Sequence, residues 1–167
     1  KIVKADIVFI SDSPYDSQLL FKKGVRFKKI YSGKIRRYFS LINITDLIKT
    51  FIGAIKAVWG IYADFPDVIF SKGGYASFPV VFAARVLGIP LIIHESDTVP
   101  GKVNAWSGKF AKRVAISFPQ TAQYFKKEKV ALTGNPIRDV FFTRAAVGTK
   151  DFFKFENEIP VVFFVGG

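Results

Sequence analysis

The chain is patterned as short apolar runs separated by polar, glycine- or proline-containing breaks. Residues 5–11 run apolar and break at Asp12-Ser13-Pro14, which predicts a buried strand ending in a loop. A short helix is predicted over 15–23, stopped by Gly24, and a further strand over 25–30. From Thr45 onward apolar residues recur at helical spacing: Leu47, Ile48, Phe51, Ile52, Ile55, Val58, Trp59 and Tyr62. Thr45 reads as the capping residue of this helix, with Asp46 in its first turn. Ile48, Ile52, Ile55 and Trp59 fall near one line, and Leu47, Phe51, Val58 and Tyr62 on an adjoining one, so the apolar surface is wider than one core-facing stripe. Two readings stay open: a buried core helix, or a helix with part of its surface against a bilayer.

After Asp64-Phe65-Pro66 a repeating unit begins, with a strand over 67–70, a glycine-containing loop, a helix over 78–87 stopped by Gly88, Pro90, and a strand over 91–94. The pattern recurs as a helix over 103–112, a strand over 113–117, a short helix over 121–127 and a strand over 130–133. Strand, helix and strand at this spacing form parallel crossover units, which predicts an α/β fold with an open, doubly wound, Rossmann-like parallel sheet. Residues 139–158 lack periodicity and read as a connector, and 160–165 read as the first strand of a second domain. The expected division is therefore 1–138, 139–158 and 159–167.

Composition narrows the chemistry. The chain has 167 residues, 50% of them hydrophobic, enough for one domain with a sizeable core. It has no cysteine, which excludes disulfides, thiolate metal sites and cysteine nucleophiles, and its single histidine, His94, removes most other metal-site readings, so no metal and no cofactor are expected. The chain opens without methionine and stops at Val165-Gly166-Gly167, straight after a strand-like run, so neighbouring segments are expected at both ends. No secretory leader and no uninterrupted spanning run is recognised, and a cytoplasmic location is expected.

Twenty-five Lys and Arg stand against thirteen Asp and Glu, a formal net charge of +12, which favours polyanionic partners. Much of it lies in Lys22, Lys23, Arg26, Lys28, Lys29, Lys34, Arg36 and Arg37, flanking an apolar stretch. That arrangement favours a membrane surface over a nucleic-acid groove, and no nucleic-acid partner is expected.

In an open parallel sheet, ligands collect beyond the carboxyl ends of the strands. Three unusual segments lie there. Ser71-Lys72-Gly73-Gly74-Tyr75-Ala76-Ser77 joins a strand to a helix, where glycines admit a ligand to the backbone and the helix start offers amides to a phosphate, though a tight turn explains the glycines equally well. His94-Glu95-Ser96-Asp97 sets an imidazole and two carboxylates after an apolar strand, followed by Pro100-Gly101 and Asn104. Burying such groups without partners is costly, so the cluster needs a functional or a structural explanation. Thr133-Gly134-Asn135-Pro136-Ile137-Arg138 ends in a guanidinium able to fork onto a phosphate or carboxylate, or to stand solvated beside a capped turn.

Taken in order, the motifs Gly-Gly-Tyr-Ala-Ser-Phe-Pro at 73–79, Leu-Gly-Ile-Pro at 87–90, His-Glu-Ser-Asp at 94–97, Pro-Gly at 100–101, Asn104, Phe118-Pro119 and Gly-Asn-Pro-Ile-Arg at 134–138 resemble the N-terminal domain of the MurG family. These are the undecaprenyl-linked N-acetylglucosaminyltransferases that make lipid II in peptidoglycan synthesis. The resemblance implies a GT-B-type fold of two Rossmann-like domains, with the lipid acceptor handled mainly by the N-terminal one and the nucleotide sugar by the other. It implies inverting transfer of N-acetylglucosamine from UDP-N-acetylglucosamine to the 4-hydroxyl of the muramyl sugar of lipid I.

On the same resemblance His94, Glu95 and Asn104 orient the reacting groups, and Gly73, Gly74, Tyr75 and Ser77 line the acceptor. Asp97, standing where many relatives have asparagine, lies toward the donor, and Arg138 faces the donor side. Lys49, Phe51, Ile52, Lys56 and Trp59 would dock on the anionic inner leaflet, placing the protein on the cytoplasmic face of the bacterial plasma membrane. The family's opening strand and Gly-Gly-Thr-Gly-Gly-His loop, which carries a histidine proposed as the acceptor base, do not appear here, so the fragment alone is expected to be inactive. Rival readings are another lipid-sugar transferase of this fold, such as a diacylglycerol glycosyltransferase, and a non-catalytic basic membrane-binding domain.

Overall fold

A computed structural model of the chain describes residues 5–32, 42–138 and Lys154, and over 42–49 the backbone together with the Ile48 side chain. The chain divides into two compact units, Lys1–Asn135 and Pro136–Gly167. The predicted connector, apart from Lys154, and the strand over 160–165 lie outside the described residues, as do Lys34, Arg36 and Arg37.

The first unit consists of parallel strands with flanking helices. Strand β1 (Val8–Ser11) pairs in parallel with β2 (Arg26–Lys29). Between them runs α1 (Ser17–Lys22), whose start is fixed by the Asp16 carboxylate accepting from the Leu19 amide at 2.9 Å. Gly24, at φ +66°, turns the chain back into β2.

A second parallel ladder runs β3 (Ile69–Ser71), β4 (Leu91–Glu95), β5 (Arg113–Ile116) and β6 (Val130–Leu132), adjacent in that order. Its register pairs Ile69 with Leu91, Ile93 with Val114 and Ile116 with Leu132. In β4 Leu91, Ile93, His94 and Glu95 are all buried, the signature of a central strand covered on both faces.

Helix α3 (Phe78–Leu87) occupies the predicted span. Pro79 suits its first turn because no intrahelical N–H is needed there, and Gly88 ends it in the left-handed conformation, its amide donating to the Ala84 carbonyl. Its Val80, Val81, Ala83 and Ala84 join Ile69, Leu91, Ile93, Val114 and Ile116 in one core, which Ile30, Ala57 and Ile61 complete from the side of α2 and β2.

Three predicted helices depart from the sequence reading. Helix α2 covers Ile42–Asp64, so Thr45 lies within it and does not cap it. The Thr-Asp cue is a local preference, and a helix that packs against α3 continues through it. Helix α4 covers Lys102–Ser107 and does not continue to residue 112. Past it the Lys109 and Phe110 amides donate to the Trp106 and Ser107 carbonyls, three residues back in place of four, and the Lys112 amide donates to the Leu91 carbonyl at 2.8 Å to enter β5. In place of the helix over 121–127 there are two 3-10 segments, Pro119–Tyr124 and Lys127–Lys129.

The wide apolar surface of α2 is not all core. Thr50, Ala54, Ala57 and Ile61 are buried, while Ile48, Phe51, Ile52, Ile55, Trp59 and Tyr62 are exposed, Phe51 at 67% and Trp59 at 70%. Successive positions of this exposed set share one broad arc of the helix, bordered by the exposed Lys56. The side chain of Lys49 is outside the described residues. No helix among the described residues is long and apolar enough to cross a membrane.

Candidate active site

The three loops singled out above leave the carboxyl ends of β3, β4 and β6. In the first, the buried Ser71 hydroxyl accepts from the Gly73 amide at 3.1 Å, and the Ser77 hydroxyl donates to the Gly74 carbonyl at 2.8 Å. These bonds close the turn that becomes the 3-10 segment Tyr75–Ser77 and then α3. Gly73 and Gly74 have φ of +81° and +83°, a conformation that side chains strain. Gly73 is also constrained by space, because a Cβ there would lie 2.6 to 2.8 Å from the Asn104 carboxamide.

Asn104 connects this loop to the next. Its Nδ2 donates to the His94 carbonyl at 3.1 Å and to Glu95 Oε2 at 3.0 Å. Glu95 accepts in addition from the Gly101 amide at Oε2 and from the Asp97 amide at Oε1, each at 3.1 Å. The carboxylate thus holds both ends of the loop between β4 and α4. The far side of that loop is anchored by Thr121, fully buried, whose hydroxyl donates to the Asp97 carbonyl at 2.9 Å.

His94 reaches the third loop. Its Nε2 lies 3.0 Å from the Gly134 carbonyl, which can only accept, so Nε2 carries the proton. Ser117, at the end of β5, approaches Nε2 at 3.5 Å and donates to Asn135 Oδ1 at 2.8 Å. The His94 ring lies beside the exposed Phe70, with centroids 6.5 Å apart. His94 Nδ1 and Asn104 Oδ1 are buried polar atoms without a hydrogen-bond partner among the described residues.

His94, Glu95 and Asn104 are therefore brought together, but as 2–3% exposed side chains that tie loops to one another. In the same loops Gly74, Tyr75, Asp97 and Asn135 are exposed and Gly73 is half-buried. The exposed Asp97 carboxylate has no hydrogen-bond partner among the described residues. Arg138 belongs to the second compact unit. Among the described residues no three His, Cys, Asp or Glu side chains cluster as a metal site would require.

Asp12 was legible in the sequence only as a strand breaker. In the structure its Oδ2 accepts from the Tyr75 hydroxyl at 2.8 Å, linking the loop after β1 to the glycine loop. The bond from Tyr75 holds the Asp12 carboxyl below its ordinary 3.8, and the bond to Asp12 raises the Tyr75 phenol above its ordinary 10.0. For Asp12 the depressed folded value means stability present above pH 3.8 and lost as pH falls through the folded value. For Tyr75 the raised value means stability present below pH 10.0 and lost as pH rises through it. Asp12→Asn is expected to bring the Tyr75 phenol down toward 10.0. Carbon NMR titration of ring-labelled tyrosine, with the resonance assigned through Tyr75→Phe, measures this, and an unmoved titration would remove the pair from the site.

Residues 3–116 match the family model for the glycosyltransferase family 28 N-terminal domain. The chain is 40% identical over 152 residues to the UDP-N-acetylglucosamine--N-acetylmuramyl-(pentapeptide) pyrophosphoryl-undecaprenol N-acetylglucosamine transferase of Clostridium tetani, covering 91% of this chain and 42% of that protein. It is 41% identical to the protein of the same name from Lachnoclostridium phytofermentans, over 91% of this chain and 43% of that one. The chain thus spans less than half the length of these curated relatives.

A crystal structure of Acinetobacter baumannii MurG matches with TM-score 0.55 at 28% identity, over 79% of this chain and 37% of that one. Anabaena Alr3699/HepE in complex with UDP and glucose matches with TM-score 0.53 at 14% identity, over 88% of this chain and 40% of that one, a likeness of fold alone. The resemblance read from the ordered loop motifs and the match of the parallel fold thus agree, and the chain belongs to glycosyltransferase family 28, of which it carries the N-terminal domain in a form similar to MurG.

Proposed function

We propose that this chain is the acceptor-side part of an inverting transferase that moves N-acetylglucosamine from UDP-N-acetylglucosamine to the 4-hydroxyl of the muramyl sugar of lipid I. The observation that carries the reading is that Gly73 packs against Asn104, whose hydrogen bonds to Glu95 and the His94 carbonyl, with His94 bonded in turn to Gly134, join three loops at the carboxyl ends of parallel strands. In the displacement the acceptor oxygen forms the new bond to the sugar C1 as the bond from C1 to the diphosphate oxygen breaks. The acceptor proton passes to a base, and UDP leaves with the bonding pair.

On this reading the amides around Gly73 and Gly74, with Tyr75 and Ser77, receive the acceptor diphosphate or sugar, and a helix start favours that charge. We assign Asp97 to the donor and, in the second compact unit, Arg138 to the donor as well. His94, Glu95 and Asn104 are positioning residues, since their buried side chains set the shape of the rim. The exposed apolar arc of α2, with Phe51, Ile52 and Trp59 beside Lys56 and with Lys49 in the same helix, docks on the inner leaflet, where a lipid-linked acceptor is anchored.

The test is a transfer assay with the complete protein, UDP-N-acetylglucosamine and a soluble lipid I analogue. Transfer to the muramyl sugar is expected, and Asn104→Ala is expected to lower kcat/KM about 10–100-fold, the scale of a reacting group displaced by about 1 Å. Glycosylation of diacylglycerol in place of lipid I, or an Asn104→Ala enzyme as fast as the parent, would overturn the proposal.

A further inference from the structure

Asp12 follows β1 and lies beside the glycine loop, in a chain of net charge +12, yet no lysine or arginine pairs with it among the described residues. Its partners are hydroxyls. Oδ2 accepts from the Tyr75 phenol at 2.8 Å, and Oδ1 accepts from Ser11 Oγ at 3.1 Å and, more distantly, from Ser13 Oγ at 3.5 Å. A hydroxyl has one proton to donate and lone pairs with which to accept. These three have turned their protons toward the carboxylate, so what they offer a ligand is lone pairs.

The glycine loop continues the pattern. The Ser77 hydroxyl and amide both donate to the Gly74 carbonyl, and the Gly73 amide donates to Ser71 Oγ, so these donors are turned into the loop as well. Tyr75 is 42% exposed, within reach of a ligand, and its bond to Asp12 raises the phenol above its ordinary 10.0, which keeps the proton in place at neutral pH. A phosphate oxygen brought to that phenol would meet a lone pair and, beyond it, a carboxylate of its own sign. A sugar hydroxyl or an acetamido N–H would instead meet an acceptor. That acceptor is strengthened by the carboxylate, because successive hydrogen bonds polarise one another.

We propose that Asp12 is a positioning residue that makes Tyr75 a hydrogen-bond acceptor, so that the phenol receives a hydroxyl or acetamido N–H of the muramyl sugar and rejects the diphosphate. The proposal rests on the acceptor role given to the glycine loop above. It assigns one part of the acceptor to Tyr75, through a residue outside that loop.

Steady-state transfer by the complete protein, with acceptor and donor KM measured separately, is the test. Tyr75→Phe is expected to raise the acceptor KM about five- to tenfold, the loss of one hydrogen bond, with the donor KM unchanged. Asp12→Ala frees the phenol to turn its proton outward and is expected to raise the acceptor KM about two- to fivefold. Asp12→Asn retains an oxygen for the phenol proton and is expected to stay within about twofold of the parent. In the Tyr75→Phe background Asp12→Ala should add nothing, because no phenol remains to orient. An equal loss from Asp12→Ala with and without the phenol would make Asp12 a merely structural residue and overturn the proposal. Geranyl diphosphate, which carries a prenyl diphosphate without a sugar, locates the contact: its inhibition constant is expected to be the same for the parent and Tyr75→Phe. Inhibition weakened by Tyr75→Phe as much as the acceptor KM is raised would put the phenol on phosphate, and that too would overturn the proposal. Failure of the underlying reading shows differently, since the parent protein would then transfer no N-acetylglucosamine to the lipid I analogue.

Discussion

Glu95→Gln is expected to lower the unfolding free energy of the chain by about 2–4 kcal/mol, although it changes one atom. All three partners of the carboxylate are donors: the Asp97 and Gly101 amides and Asn104 Nδ2. A carboxylate meets them because both of its oxygens accept, whereas a carboxamide must turn its NH2 toward at least one of them. That leaves a buried donor facing a donor, at about 1–3 kcal/mol, and weakens the remaining bonds by removing their charge assistance. The urea midpoint is expected to fall with an unchanged m-value, and Glu95→Ala is expected to fall further. A Glu95→Gln midpoint equal to that of the parent chain would mean that the carboxylate does not organise the loop between β4 and α4.

Gly73→Ala is expected to cost about 2–5 kcal/mol by two mechanisms that can be separated. The left-handed backbone accounts for about 1–2 kcal/mol. The new methyl would lie within 2.8 Å of Asn104, an overpacking cost of about 1–3 kcal/mol against a side chain held by two hydrogen bonds. In an Asn104→Ala background the second part disappears, so Gly73→Ala should become cheaper by that amount. Gly74→Ala carries backbone strain alone, since nothing lies within 4 Å of its added Cβ. If Gly73→Ala cost the same with and without the Asn104 side chain, the close packing of the two loops would be refuted.

These two residues mark how far the sequence can be read. Residue types and order identified the loops, because Gly-Gly, His-Glu and Gly-Asn-Pro each follow an apolar run that ends a strand. The span of α3 was legible for the same reason: Pro79 and Gly88 punctuate it chemically. Direction was not legible. Nothing in the string separates a His94 that faces a cleft from one that donates to Gly134, since the partner lies beyond an intervening strand. The Asp12–Tyr75 bond and the Lys112–Leu91 bond that carries the chain into β5 escape local reading likewise, because both are contacts between distant segments. The exposure of α2 was undecided for a related reason, since periodicity gives the breadth of an apolar surface but not what covers it.

In the ladder β3-β4-β5-β6, position in space repeats the order of translation. No strand has to be threaded between two that are already paired, so each can settle on the edge left by its predecessor as it leaves the ribosome. The His94–Gly134 bond cannot form until the last of these strands has emerged. Nascent chains halted before Gly134 should therefore hold a growing sheet whose rim is still open, and the rim would close late in synthesis.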